Sequence, residues 1–515
     1  MASDTPDGQN TPSSSGSADT SAGGSTTPTW KAPPKTWGGR LLAIGPAIVV
    51  SGSVIGSGEL INVPIQAATF GFVLFWAVIL SCIIKYFLQV ELGRHCLVHN
   101  RTTIQALNAC PGPKIRGTSW IGIAYLIGYT LSAITVGGIM ASTAGLFSSV
   151  FPLATEPVAA AAPSSWSEID WSSIGMNTID LSTMLWGLVI SAIVGGILWF
   201  SLYGVLEKLI AMLVCGFSLS VVVALFLLIF SPNPEYPLHF SDVMSGMTFS
   251  LGDVGMREAA LFAVISLLGA LGTTANEMFM YPYWILEKGY ADNVGRDTDD
   301  GWLERARGWI RVLQVDAGVA TLLATVITAA YFLVGCAILH EKGEVPSGMK
   351  VVEQLSQIYT ETYGKWSYGV FMFGGFCTLF STIVVVVAAS GRMWTDLLSS
   401  MGMIKYEDPR ERRKYNRIFQ NLYLGAFLLL TIFAATTGID PAKLVIQGQY
   451  INGLVNTPLL MFGILFLAFF STDKRLRMGI VSAVLLVVTA LAIYACVLTE
   501  VLNKIFPGLI GGGGD

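Results

Sequence analysis

The sequence predicts an all-α integral membrane protein with eleven transmembrane helices, on the basis of its composition, its hydropathy and the spacing of its apolar segments. Of the 515 residues, 53% are hydrophobic and 12% are charged, whereas soluble domains contain about 25% charged residues. The mean hydropathy is +0.62. A chain this apolar cannot remain solvated as a disordered polymer. Its net charge of −4 provides no basic field for nucleic acid.

The apolar segments divide the chain into three regions. Residues 1–36 are rich in Ser, Thr, Gly and Pro, so we expect a disordered cytoplasmic tail and no signal peptide. Residues 37–505 form the expected transmembrane domain, and residues 506–515 a short flexible C-terminal tail. Eleven stretches can cross roughly 30 Å of hydrocarbon: 41–69, 71–93, 119–147, 183–202, 207–230, 258–286, 310–339, 366–397, 418–437, 443–471 and 478–504.

The distribution of Lys and Arg predicts the orientation. These residues concentrate in the loops that follow spans 2, 6, 8 and 10, and the loop between spans 3 and 4 contains none. Positively charged loops remain in the cytoplasm. The sequence therefore predicts a plasma (inner) membrane protein with a cytoplasmic N-terminus.

Two spans contain helix-breaking runs, and each run ends in a carboxylate. Span 1 reads Gly56-Ser57-Gly58-Glu59, and span 6 reads Gly272-Thr273-Thr274-Ala275-Asn276-Glu277. Backbone groups freed by a break must face protein, water or a ligand. Interrupted helices five spans apart are typical of two inverted five-helix repeats that bind a solute at the midplane. Small residues also permit close helix packing, but an intramembrane charge costs at least ~2.5 kcal/mol and favours a polar cavity.

These runs and two further groups supply the candidate binding residues. Span 10 carries several amides, which suit a hydroxyl-bearing ligand or ordinary interhelical hydrogen bonds. Aromatic residues follow the break in span 6, where they suit a ligand's apolar face, core packing or an interfacial belt. The candidates are Gly56, Ser57, Glu59, Asn276, Glu277, Tyr281, Trp284, Gln447, Gln449, Asn452 and Asn456.

Enzymatic chemistry is not expected. The chain has no P-loop, no metal-ligand cluster and no nucleophile motif, so neither a cofactor nor a catalytic residue is predicted. Without an ATP site, uphill transport needs an ion gradient. Glu59 is the first candidate proton carrier and Glu277 the second, and sodium coupling is the alternative. Lys85 and Glu91 of span 2 are interpreted as structural charges, paired with each other or with a neighbour.

Short stretches of the chain resemble the Nramp (natural resistance-associated macrophage protein) family of proton-coupled divalent metal transporters. The resemblance is carried by Gly45-Pro46, by Ala68-Thr69-Phe70-Gly71-Phe72 after the break in span 1, and by Tyr203-Gly204-Val205-Leu206-Glu207-Lys208. It implies a LeuT-like arrangement of inverted repeats with interrupted helices 1 and 6.

The residues at the family's metal site differ. The family's Asp-Pro-Gly-Asn run corresponds here to Gly56-Ser57-Gly58-Glu59, and its Met-Pro-His run to Ala275-Asn276-Glu277. The thioether that favours soft transition metals is therefore absent. Span 3 reads Tyr129-Thr130-Leu131-Ser132-Ala133-Ile134-Thr135, without a carboxylate.

We therefore expect a secondary active transporter that does not carry transition metals. The chain is similar to an Nramp-related branch associated with glucose, which implies proton-coupled uptake of a neutral polar solute such as this sugar. The alternative is a divalent cation transporter for Mg²⁺, which oxygen ligands suit. An amino acid is a further candidate substrate. A receptor or scaffold is disfavoured because no loop holds a large folded domain.

Overall fold

The computed structural model describes residues 30–43, 56–153, 180–200, 203–230, 236, 238–348, 351–406 and 408–506. Residues 1–29 and 507–515 of the predicted tails lie outside this description, as do residues 44–55 of predicted span 1. Residues 30–36 contact the helical domain. The Arg305 guanidinium stacks 3.8 Å from the centre of the Trp30 ring, and the Lys31 backbone N–H donates to Asn293 over 3.0 Å.

The first half of the described chain is helical apart from one short hairpin. Its helices are α1 (Trp37–Ala43), α2 (Val63–Phe70), α3 (Phe75–His99), α4 (Thr103–Leu107), α5 (Trp120–Ser132), α6 (Ile134–Val150), α7 (Leu181–Trp199), α8 (Tyr203–Phe230) and α9 (Phe240–Ser245). Strands β1 (Lys114–Ile115) and β2 (Thr118–Ser119) pair antiparallel. A π-helical turn at Gly58–Asn62 precedes α2, and 3₁₀ turns lie at Gly71–Leu74 and Val254–Met256.

The second half continues with helices alone. They are α10 (Arg257–Ala270), α11 (Ala275–Glu287), α12 (Tyr290–Val294), α13 (Trp302–Gly335), α14 (Val351–Leu355), α15 (Gln357–Tyr363), α16 (Ser367–Ser400), α17 (Pro409–Thr437), α18 (Pro441–Ile451), α19 (Thr457–Phe466) and α20 (Ile480–Ile505). Further π-helical turns lie at Cys336–His340, Asn452–Asn456 and Leu467–Ser471.

Ten helical runs within the described residues are long and apolar enough to cross a membrane. The predicted all-α membrane fold is confirmed, but the predicted count of eleven is not. Predicted spans 1 and 2 merge into one helical run, Gly58–His99, because the chain remains helical through Gly71–Leu74. The first part of span 1 falls within residues 44–55 and is not described.

The predicted break in span 6 is confirmed and has a clear local cause. Helix α10 ends at Ala270 and α11 begins at Ala275. Between them, Gly272 has a φ of +60°, a left-handed conformation that glycine adopts at no steric cost. A Cβ at this position would lie 3.0 Å from the Cα of Cys82. Thr274 then caps α11 by accepting the N–H of Glu277, which restarts the helix.

Glycines bring three helical segments into close contact around this break. A Cβ built on Gly269 would overlap the carbonyl oxygen of Gln449, and one on Gly453 would overlap that of Ile265. Helix α10 therefore packs backbone against backbone on α18 and the π-helical turn that follows it, as small residues permit in membrane helices. A Cβ on Gly58 would lie 2.8 Å from the carbonyl oxygen of Ala270, so the described part of span 1 also touches the break.

Candidate substrate-binding site

A cavity of about 90 Å³ lies where the described part of span 1 meets the break in span 6. It has room for several water molecules. Gly56 and Ser57 line one side, and Asn276 and Glu277 line another. The two predicted interrupted segments therefore face one cavity.

Most of the predicted site residues line this cavity. Those that do are Gly56, Ser57, Asn276, Glu277, Trp284, Gln449 and Asn452. Glu59, Tyr281, Gln447 and Asn456 lie elsewhere.

Glu277 is a carboxylate of the cavity wall, at the start of α11. Its Oε2 accepts the backbone N–H of Thr274 over 2.7 Å, and its own N–H donates to the Thr274 hydroxyl over 3.3 Å. This reciprocal capping box holds the side chain at the helix N-terminus, where the helix dipole stabilises negative charge.

Glu59 lies behind the cavity wall and is only 1% exposed. Its carboxylate accepts the backbone N–H of Gly56 over 3.0 Å and the hydroxyl of Thr328 over 3.3 Å. Glu59 lies in the π-helical turn Gly58–Asn62, and its side chain reaches Thr328 of α13. Its carboxylate therefore touches the lining residue Gly56 without lining the cavity itself.

Lys85 of α3 brings a positive charge to the same region. It is 1% exposed, and its Nζ donates to the carbonyl oxygen of Leu271, within the break. Both Glu59 and Glu277 lie within electrostatic range of Lys85. Glu91 pairs with its neighbour Arg94 over 3.0 Å, which is the second of the two pairings considered for it. Lys85 therefore places a basic side chain close to both candidate glutamates, while its Nζ itself donates to the Leu271 carbonyl.

An amide and hydroxyl network holds Gln449 in the wall. The Gln449 Nε2 donates to the Ser57 hydroxyl over 3.2 Å, and its Oε1 accepts from Asn62 over 2.7 Å. Asn62 in turn accepts from Gln66 over 2.9 Å. These bonds orient Gln449 and tie span 1 to α18.

A second network joins span 10 to α5 and α11. Asn452 donates to the carbonyl oxygen of Gly269 over 2.7 Å. Asn456 donates to Asn452 over 3.0 Å and to Asn276 over 3.3 Å. The Tyr125 hydroxyl donates to the same Asn276 oxygen over 3.0 Å. Asn456 thus supports two lining amides from behind.

The aromatic candidates separate according to their position on α11. Trp284 lines the cavity, and the Arg392 guanidinium lies 4.9 Å from its ring centre. Tyr281 is buried and donates its hydroxyl hydrogen to Asp316 over 3.0 Å, away from the lining residues. On α18, Gln447 is exposed, two residues before Gln449.

Span 3 contributes lining residues that the sequence analysis did not select. Tyr129, Ser132, Ala133 and Val136 all line the cavity. Their spacing of three and four residues places them on one face of a helix. That spacing is the signal in the sequence that could have identified them.

The cavity lining is of mixed polarity and carries one carboxylate, that of Glu277. Amides, hydroxyls and the Trp284 ring share it with aliphatic and thioether side chains, which are those of Val136, Ile139, Met280, Val385 and Val386. Within the described residues, no group of three or more His, Cys, Asp or Glu side chains is placed to hold a metal ion.

Comparison with known proteins identifies the family. The model of the natural resistance-associated macrophage protein-like (Nramp) family matches residues 47–503. A crystal structure of the Eremococcus coleocola manganese transporter aligns with a TM-score of 0.60 and 14% identity, covering 95% of this chain and 92% of that one.

A second structure of that transporter, in complex with an aromatic bis-isothiourea substituted compound, aligns with a TM-score of 0.59 and 14% identity, covering 96% and 92% of the two chains. MhsT in complex with L-phenylalanine aligns with a TM-score of 0.50 and 14% identity, covering 92% and 99%. No curated protein sequence matches the chain. The structural likeness confirms the predicted LeuT-like fold, and the chain belongs to the Nramp family of secondary transporters.

Proposed function

We propose that this protein takes up a neutral polar organic solute, best exemplified by a sugar such as glucose, in symport with protons. The observation that carries the proposal is the lining of the cavity, which offers Asn276, Gln449 and Asn452 amides beside one carboxylate and Trp284. Amides both donate and accept hydrogen bonds, as sugar hydroxyls do. The indole ring can cover the apolar face of a sugar ring.

The position of Lys85 supports a neutral substrate over a divalent cation. We infer that its buried ammonium group serves as the counter-charge of Glu59 and Glu277, because it lies close to both. A divalent cation entering the cavity would be repelled by this fixed positive charge, and repulsion is strong where water is excluded.

The alternative function is transport of a divalent cation such as Mg²⁺. Membership of the Nramp family and the likeness to a manganese transporter favour it. Glu277 and several lining amide oxygens are hard ligands, and Mg²⁺ usually retains several of its waters. A hydrated ion would therefore need few direct protein ligands.

For coupling, we propose Glu59 as the first proton carrier and Glu277 as the second. Glu59 is buried and touches the lining residue Gly56 through a hydrogen bond. Its charge state therefore affects the cavity, while its side chain does not occupy the substrate's place.

We further propose a plasma membrane location with a cytoplasmic N-terminus, and the Lys and Arg distribution supports this orientation. No covalent chemistry is part of the cycle.

The test is uptake of radiolabelled glucose into proteoliposomes, with and without an inward proton gradient, alongside Mg²⁺ and Mn²⁺ flux in the same vesicles. Gradient-stimulated glucose uptake without metal flux is expected. Metal flux without glucose uptake would establish the alternative.

Two neighbouring glutamines supply matched variants for this assay. Gln449 lines the cavity and Gln447 is exposed on the same helix. Gln449→Leu is expected to lower glucose uptake at least roughly tenfold, because a buried hydrogen-bonding site loses its partner. Gln447→Leu is expected to match the wild type. Equal effects of the two variants would contradict this placement of the substrate.

A further inference from the structure

A second cavity, of about 520 Å³, lies at the junction of α7 and α17, away from the substrate site. We call it the basic cavity. It is lined by four cationic side chains, one indole, one aliphatic side chain and one amide: Arg410, Arg413, Lys414, Arg417, Trp199, Ile418 and Asn421.

A hydrogen bond joins the two helices beside the basic cavity. The Arg417 Nη2 donates to the carbonyl oxygen of Trp199 over 3.0 Å, and its guanidinium lies 4.8 Å from the centre of the Trp199 ring. Arg417 thereby caps the C-terminal end of α7, as basic side chains do. This contact fixes the indole at the rim of the cavity.

The salt bridges found within the described part of the chain join residues other than Arg410, Arg413 and Lys414. A concave group of four cationic side chains attracts an anion. The planar guanidinium group of arginine can donate two parallel hydrogen bonds to the oxygens of a phosphate group.

An apolar surface continues directly from these charges along α17. Lys414, Ile418 and Leu422 are four residues apart and therefore follow one face of the helix. Ile418 is 49% exposed and Leu422 is 63% exposed, within a helix long and apolar enough to cross the membrane. A ligand that fills both surfaces has an anionic end and an apolar end.

We infer that the basic cavity binds the phosphate headgroup of an anionic phospholipid, with an acyl chain lying over Ile418 and Leu422. Basic pockets between transmembrane helices are suited to such headgroups. Free phosphate shares the anionic chemistry but would leave the apolar surface of α17 uncovered. The lipid is therefore the occupant that fits both surfaces.

Native mass spectrometry of the full chain from nanodiscs of phosphatidylcholine with phosphatidylglycerol tests this inference. Wild-type protein is expected to retain phosphatidylglycerol in preference to phosphatidylcholine. The Arg413→Gln/Lys414→Gln variant is expected to lose at least nine-tenths of that retention. The matched control is Arg307→Gln/Arg311→Gln, which removes the same charge from exposed positions on α13 and is expected to retain the lipid.

An equal loss of phosphatidylglycerol retention in the control variant would show that the lipid is held by general charge attraction, and it would overturn the inference of a specific site. Displacement of the lipid by millimolar inorganic phosphate would overturn the lipid as occupant. Thermal unfolding checks that the double variant is folded. Phosphatidylglycerol is expected to raise the melting temperature of the wild type and of the control variant but not that of the double variant. A rise of the melting temperature in all three proteins contradicts the inference.

Discussion

Replacing Lys85 with methionine is expected to destabilise the protein and to change which ions it binds. Methionine retains most of the length of the buried side chain but removes the ammonium group. The Leu271 carbonyl then loses its donor, and Glu59 and Glu277 lose their counter-charge. Removing one member of a buried charge pair typically costs ~3–5 kcal/mol. This is a large fraction of a typical unfolding free energy of about 5–15 kcal/mol.

Thermal unfolding of the purified protein in detergent measures this effect. The control variant Lys288→Met removes an exposed lysine just after α11 and is expected to change stability by less than about 0.5 kcal/mol. Adding Glu277→Gln to Lys85→Met is expected to recover part of the loss, with a coupling energy of about 0.5–3 kcal/mol.

The ion-binding consequence uses the same assay. With Lys85 removed, Mg²⁺ is expected to replace the missing positive charge and to stabilise the variant, by about 2.7 kcal/mol at one hundred times its dissociation constant. Wild-type protein is expected not to respond to Mg²⁺. Equal stabilisation of both proteins, or a double variant no more stable than Lys85→Met, would refute the assignment of Lys85 as a counter-charge.

Four further changes have expected outcomes. Glu59→Gln should abolish the acceleration of glucose uptake by an inward proton gradient in proteoliposomes; unchanged acceleration removes Glu59 from the coupling role. Gly272→Ala should lower stability by at least about 1–2 kcal/mol in thermal unfolding, because a side chain is strained at its φ of +60°; a stability equal to wild type contradicts this. Trp284→Ala should raise the KM for glucose and, because the ring is buried, should also lower the melting temperature; an unchanged KM in the folded variant would remove the ring from the site. Hydrogen bonds from Arg475 lower the pKa of Asp473 to about 2. The wild type should therefore be more stable than Asp473→Asn above pH 4, and this difference in unfolding free energy should shrink as the pH falls toward 2. A difference that grows with acidification contradicts this.

The interruption of span 6 could be predicted because it depends on local chemistry. Glycine at a left-handed φ and threonine as an N-cap are preferences of single residues, and both can be read from Gly272 and Thr274. The alignment of Glu277 with the cavity follows from the same capping box. These features need no knowledge of the surrounding helices.

The direction in which individual side chains point from their helix could not be predicted in the same way. Successive residues of an α-helix are rotated by about 100°, so Gln447 and Gln449 point to nearly opposite sides of α18. Composition shows that both are polar, but only packing decides that Gln449 meets Ser57. Tyr281 and Trp284 are three residues apart on α11 and lie near one face, so only packing decides that the Tyr281 hydroxyl meets Asp316 while the Trp284 ring meets the cavity.

Contacts between residues far apart in the sequence could not be predicted either. Lys85 reaches Leu271 across 186 positions of sequence, and no local pattern predicts that pairing. Glu59 is directed toward Thr328 by a π-helical turn, a rare element that has no strong sequence signature.

The π-helical turn at Asn452–Asn456 also bears on how this cavity can change during evolution. Such a turn contains one residue more than an α-helical turn requires. Deleting that residue would restore a regular helix and rotate everything after it by about 100°, which turns Asn456 away from Asn276. Helix α18 and the glycine contact between Gly269 and Gln449 would keep their places, since they precede the deletion. A single-codon deletion can therefore remove the support that Asn456 gives to Asn276 from behind the cavity wall in one step, while the lining residue Gln449 stays fixed.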